Sequence, residues 1–91
     1  MRSEVKDWSC SVEFTLTRAN LSREADAHLT RTGVRADPQK TGHYVFNNTD
    51  SHEDYLQALM STVGELDAIL KPYGIARQIY ACQVIELNYH H

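Results

Sequence analysis

The sequence predicts an α+β domain of the ferredoxin-like type, a β-α-β-β-α-β chain with two helices on one face of a four-stranded antiparallel sheet. Three observations carry that prediction. A stretch near the start alternates apolar and polar side chains with period two. A long segment after residue 50 places apolar residues at alternating steps of three and four. Gly and Pro punctuate the rest into shorter runs, and no linker, repeat or biased segment interrupts them.

From Trp8 to Thr17 the even positions are Trp8, Cys10, Val12, Phe14 and Leu16, and the odd ones are Ser9, Ser11, Glu13, Thr15 and Thr17. This is a strand with one buried face and one wet face. Asn20 or Ser22 then caps a helix over about residues 21 to 32, because either side-chain oxygen can accept from the free amides of a first turn. Leu21, Ala25, His28, Leu29 and Thr32 form its inward stripe, and Gly33 stands where a left-handed closing residue is wanted.

Val34-Arg35-Ala36, a turn through Asp37-Pro38-Gln39-Lys40-Thr41-Gly42, and His43-Tyr44-Val45-Phe46 read as a hairpin with a short first arm. Asp50 and Glu53 have the separation of a capping box, which starts the second helix near Ser51. Leu56, Leu59, Val63, Leu66 and Leu70 form its stripe, and the mid-helix Gly64 points to close approach of another backbone. Lys71-Pro72-Tyr73-Gly74 ends the helix, and a last strand runs from about Ile75 to Leu87. Its alternation is imperfect, which fits either a bulge or a strand covered on both sides. Right-handed crossovers bring both helices to one face, so the polar side of the first strand becomes the open face of the sheet.

At 91 residues the chain has room for one core, expected over residues 8–89, with a flexible N-terminus over 1–7. His90-His91 is either native or a tag remnant, the tag being the expectation. Nine Lys+Arg against twelve Asp+Glu leave a net charge of −3, which argues against a nucleic-acid binder relying on a basic surface. The open face of the first strand also lacks the aromatic platform of an RNA-recognition fold. No apolar run approaches the roughly 20 residues of a membrane span, and no signal-like stretch opens the chain, so a cytoplasmic protein is expected. Cys10 and Cys82 have no Cys-x-x-Cys spacing and are expected to be buried, reduced thiols.

Reactive motifs are not found: there is no nucleophile elbow, phosphate loop or His-x-x-x-His spacing. His43 and His52 read as solvated turn histidines. His28 reads as a rim histidine bonded to backbone, and Asp67 as an edge carboxylate reaching solvent or a basic partner. Most tyrosines fall at core or core-edge positions. The expectation is therefore no enzyme, no metal and no cofactor. Partner contact is assigned to Ser9, Ser11, Glu13 and Thr15 on the open face, and to Asp37, Lys40 and His43 at the turn.

Val12-Glu13-Phe14-Thr15-Leu16, Asn20-Leu21-Ser22-Arg23-Glu24-Ala25, Gly33-Val34-Arg35-Ala36 and the long helix closed by Tyr73-Gly74 occur in an order that resembles a family of small bacterial α+β domains of unassigned function. Some members of that family look like immunity proteins that neutralise polymorphic toxins. The likeness spans most of residues 10 to 87, although His43 or Tyr44 stands where the family usually has a central-strand Trp, and no functional residue is carried over. A compact fold without reactive motifs, mild acidity and polar surfaces at the open face and the Asp37 to His43 turn lead to the expectation of a non-enzymatic binding module, an immunity protein or phage-type inhibitor that occludes a larger protein. The alternative is a small-molecule-binding or enzyme-accessory domain acting as a homodimer.

Overall fold

The computed structural model describes residues 5–16, 22–74 and 76–87. The fold is α+β, with the elements β1 (Lys6–Leu16), α1 (Arg23–Arg31), β2 (Val34–Ala36), β3 (His43–His52), α2 (Tyr55–Leu70), a 3-10 turn (Lys71–Tyr73) and β4 (Arg77–Leu87). The strands form one antiparallel sheet in the order β2-β3-β1-β4. Lys6 pairs with His52 and Asp7 with Leu87, so both residues belong to the sheet and not to the flexible N-terminus expected over 1–7.

The alternation along β1 decides which face is dry. Cys10, Val12, Phe14 and Leu16 share one core with Leu29 of α1, Val34 of β2, Phe46 of β3, and Leu66 and Leu70 of α2. Helix α1 starts where Ser22 accepts from the Ala25 amide at 3.1 Å. Ala25 and Leu29 are buried along its inner side, with His28 and Thr32 half-buried beside them. Gly33, at φ 97°, makes the positive-φ turn into β2 that the sequence expectation assigned to it. Asn20 and Leu21 lie outside the described residues.

Strand β3 is longer than the sequence suggests and displaces the start of α2. Asp50, read as a cap, pairs with Trp8 inside the sheet. The cap is Asp54, which accepts from the Gln57 amide at 2.9 Å, while Gln57 Oε1 accepts from the Glu53 amide at 3.1 Å. Asp54 thus caps the helix one turn later, and Gln57, with the same spacing from it as Glu53 from Asp50, reaches back to the amide of the residue before the cap, a variant of the capping box. The extended conformation wins at Asp50 because β3 can then pair with the whole of β1.

Helix α2 buries Ala58, Thr62, Leu66 and Leu70, with Leu59, Val63 and Ile69 half-buried, and lies over β1 and β3. Leu56, expected in the buried stripe, is 51% exposed, and Tyr55 is exposed as well. Apolar residues occur on two flanks of α2, so spacing alone does not choose the contact line. Small Ala58 and Thr62 do, because they let the axis approach the sheet. Gly64 is exposed, and a Cβ there would meet nothing within 4 Å, so the expected backbone approach is absent. Gly74, at φ 60°, closes the 3-10 turn after Pro72, as the sequence indicates.

The irregularity of β4 is a bulge. Glu13 pairs with Ala81 and Phe14 with Ile79, which leaves Tyr80 as the extra residue. Strand β4 is an outer strand, and Gln83 and Ile85 on its open side are exposed, so it is not covered on both sides. That position also exposes Cys82, against the expectation of two buried thiols, while Cys10 is buried. Cys10 faces Val84 and Cys82 faces Val12, a diagonal of about 7–8 Å that is too long for a disulfide.

Candidate functional site

The side of the sheet away from the helices is built from the odd positions of β1. Ser9, Ser11 and Thr15 are half-buried there and Glu13 is exposed. Register with the neighbours sets five rows across this face, the last being Ser51, Asp7 and Leu87. His43, Thr15 and Gln78 form the first, Arg35, Val45, Glu13 and Ala81 the second, Asn47, Ser11 and Gln83 the third, and Thr49, Ser9 and Ile85 the fourth. All seven residues assigned to partner contact from the sequence adjoin this surface. Ser9, Ser11, Glu13 and Thr15 line β1, and His43 opens β3 directly beside Thr15. Asp37 and Lys40 lie in the turn that leads into His43.

The turn is held by its own backbone and one side chain. The Asp37 amide donates to His43 O at 2.8 Å, the His43 amide to Lys40 O at 3.2 Å, and the Gln39 amide to Asp37 Oδ1 at 2.9 Å. An Asp accepting from the amide two residues on is an Asx turn, the local chemistry that Asp-Pro favours. Gly42, at φ 83°, completes the reversal into β3.

Side-chain bonds cross the strands of the exposed face. The Ser11 hydroxyl donates to Asn47 Oδ1, and the Ser51 hydroxyl to Asp7 Oδ1. His43 Nδ1 and the Tyr80 hydroxyl share a hydrogen bond of 3.2 Å, with their rings edge-on and centroids 5.3 Å apart. That pair bridges from β3 to β4 over the Thr15 end of β1, and the bulge makes it possible by turning Tyr80 onto this face. His43 is thus a strand residue with a partner, not a solvated turn histidine. The sequence groups Tyr80 with the other tyrosines and does not assign it to this face, because the parity of β4 changes at a bulge that cannot be located from sequence. Asn47 is missed because the sequence carries the hairpin strand only as far as Phe46, whereas β3 runs to His52.

The remaining candidates lie elsewhere. The Asp67 carboxylate holds Arg77 through two hydrogen bonds of 2.8 and 2.9 Å, which is the edge pairing expected of it. That bond raises the Arg77 guanidinium above its ordinary value. His28 stacks obliquely on Tyr73, centroids 5.4 Å apart, and its buried Nδ1 has no hydrogen-bond partner among the described residues, so no backbone bond is seen at that nitrogen. His52 ends β3, half-buried, with Nε2 buried and without a partner among the described residues, and its carbonyl accepts from Trp8 Nε1 at 2.9 Å. Among the described residues no group of three His, Cys, Asp or Glu is placed to hold a metal ion. No described helix is long and apolar enough to cross a membrane.

On the helix side, Thr62 is buried at 1% exposure and satisfied. Its hydroxyl donates to Ala58 O at 2.8 Å and accepts from Asn48 Nδ2 at 3.4 Å. Thr62 also lies beside the Cys10 thiol and favours its charged form, but burial dominates and pushes the thiol above its ordinary value of 9.0. A thiol so held is a poor nucleophile and acts as a packing group.

Compared with protein-family models, curated proteins and solved structures, the chain finds no match.

Proposed function

We propose that this chain is a non-enzymatic, cytoplasmic binding domain of ferredoxin-like type that presents the uncovered face of its sheet, with the adjoining Asp37–His43 turn, to a larger protein. The mode is that of a bacterial immunity protein or phage-type inhibitor, which works by covering a partner and needs no reaction of its own. One observation carries the reading: Ser9, Ser11, Glu13, Thr15, Asp37, Lys40 and His43 adjoin one surface that is separate from the core. The ferredoxin-like part is supported by the order β2-β3-β1-β4, which places β3 between the strands joined through α1 and β1 between those joined through α2.

Such a face suits protein recognition for a physical reason. Its hydroxyl, amide, imidazole and phenol groups are held by cross-strand bonds, so little side-chain entropy is lost on docking. Tyr80 and His43 supply a half-apolar anchor of the kind that dominates interface energies, and Glu13 and Arg35 give the charge pattern that selects among partners.

The experiment is recovery of a partner from the native host on immobilised protein, repeated with Glu13→Lys and His43→Ala. A stoichiometric protein partner whose recovery falls at least tenfold in these variants, with melting temperature unchanged, is the expected result. Recovery indifferent to both substitutions sinks the assignment of this face. Stabilisation by metabolites instead of a protein would favour the small-molecule-binding homodimer.

A further inference from the structure

Strands β2 and β4 both have a free side, and only one of them is protected against pairing. Strand β2 is three residues long and carries an exposed Arg35, two devices that discourage another strand from adding. Strand β4 runs the full length Arg77–Leu87, and from Gln78 to Ile85 it holds no charge, proline or glycine. No described strand lies beyond it, so one side of its main chain is available for hydrogen bonds.

The helix flank above this edge is apolar too. Leu56, Met60, Val63 and Asp67 recur at helical spacing along one side of α2, and the Asp67–Arg77 pair turns that side toward β4. Leu56 and Met60 are nevertheless 51% and 66% exposed, and Cys82 on the helix side of β4 is exposed with them.

We propose that this edge docks a second copy of the same chain, the two β4 strands running antiparallel about a two-fold axis at Val84. The occupant is a copy because the segment 81–87 complements itself. A two-fold at Val84 sets Cys82 against Glu86 of the second copy, both on the helix side. It sets Gln83 against Ile85 and Ala81 against Leu87, all on the uncovered side. An axis shifted by half a residue would oppose helix-side to open-side residues, and an axis much nearer the N-terminal end would run into the bulge at Tyr80.

Electrostatics permits this pairing although each copy carries −3. The two Glu86 carboxylates would stand about 14 Å apart along the ladder, beyond the Debye length of about 8 Å. Each is already neutralised by Lys6 at 3.1 Å. Leu56, Met60 and Ile85 each offer on the order of 100 Å² of apolar surface. With the seven-residue edge and its side chains, that brings each copy toward the roughly 800 Å² of a standard interface. Both uncovered faces remain free on one side of the eight-stranded sheet, so this dimer stands or falls separately from the partner-binding reading.

Sedimentation equilibrium on the full chain tests the proposal, with an expected mass of twice 10.4 kDa. Met60→Lys with Ile85→Lys, both at exposed positions, is expected to raise the dimer dissociation constant at least tenfold without changing the circular dichroism. In a Cys10→Ala, Cys82→Ser background, which also removes the thiol that faces position 84 within the monomer, Val84→Cys is expected to form an intermolecular disulfide under oxidised glutathione at least tenfold faster than Gln78→Cys, since residues opposed in a ladder lie about 4.5–5.5 Å apart at Cα. A mass that stays at 10.4 kDa up to about 1 mM overturns the proposal. So does a dimer indifferent to the double substitution, or crosslinking no faster at 84 than at 78. If the double variant fails to fold, the wild-type mass and the crosslinking rates decide.

Discussion

The two faces of β1 alternate along one strand yet do opposite things. On the helix side Cys10, Val12 and Phe14 are at most 1% exposed and meet Leu66 and Leu70. On the other side Ser9, Ser11, Glu13 and Thr15 remain accessible, and Ser11 and Thr15 spend their hydroxyls on Asn47 and Gln78. Stability is therefore concentrated on one face, and the other is left free to change with little effect on folding. The binding role proposed above would use that separation, because a contact surface can then be altered without endangering the core.

The largest break of this asymmetry is Phe14→Ala. It removes a fully buried ring that also stacks on Tyr44 at a centroid distance of 5.8 Å. The expected loss is about 3–5 kcal/mol, set against a total of roughly 5–14 kcal/mol for a domain of this size. Urea denaturation measures it, and a loss under about 1 kcal/mol would show that the helix-side face is not where stability resides.

Next in size is the helix cap. Asp54→Ala is expected to cost about 1 kcal/mol by orphaning the Gln57 amide. Asp50→Ala, at an exposed position of β3, is expected to cost within about 0.5 kcal/mol. Comparable losses in the two variants would place the helix start where the sequence first suggests it.

The cap shows which parts of this fold are legible in sequence. Period-two alternation from Trp8 to Leu16 identifies the dry face of β1 residue by residue, because a strand flanked by helices on one side has only one way to hide Val12 and Phe14. Gly33, Pro72 and Gly74 mark their turns because few residues tolerate those backbones. The start of α2 is not legible, since Asp50 with Glu53 and Asp54 with Gln57 share one spacing, and only the length of β1 selects between them. The open-face residues of β1 were readable by parity. Tyr80 was not, because one bulged residue inverts the count along β4.

A smaller effect is alkaline destabilisation. Burial holds the Cys10 thiol above 9.0, and burial with the Asp26 charge holds the Tyr44 phenol above 10.0. The unfolded chain releases both protons at lower pH than the folded one. Their contribution is therefore fully present below pH 9.0 and lost as pH rises through the folded values. Denaturation midpoints followed from neutral to alkaline pH are expected to fall, and Cys10→Ala is expected to flatten the first part of the decline. A midpoint that stays level across that range removes the thiol from the account.

The smallest effect is expected at Ser11→Ala, which breaks an exposed bond to Asn47 and changes stability by no more than about 0.5 kcal/mol. Thermal unfolding would detect a larger loss, and with it a structural role for the uncovered face.

The bulge at Tyr80 also has a genetic consequence. Deleting one residue from a paired strand ordinarily turns every following side chain inside out. Here Phe14 already faces Ile79 while Glu13 faces Ala81, so loss of Tyr80 alone would leave a regular ladder with each neighbour still on its own side. One in-frame codon loss would thus strip the aromatic partner from His43 and leave the remainder of the sheet in register, so that the uncovered face changes while the core side stays as it is.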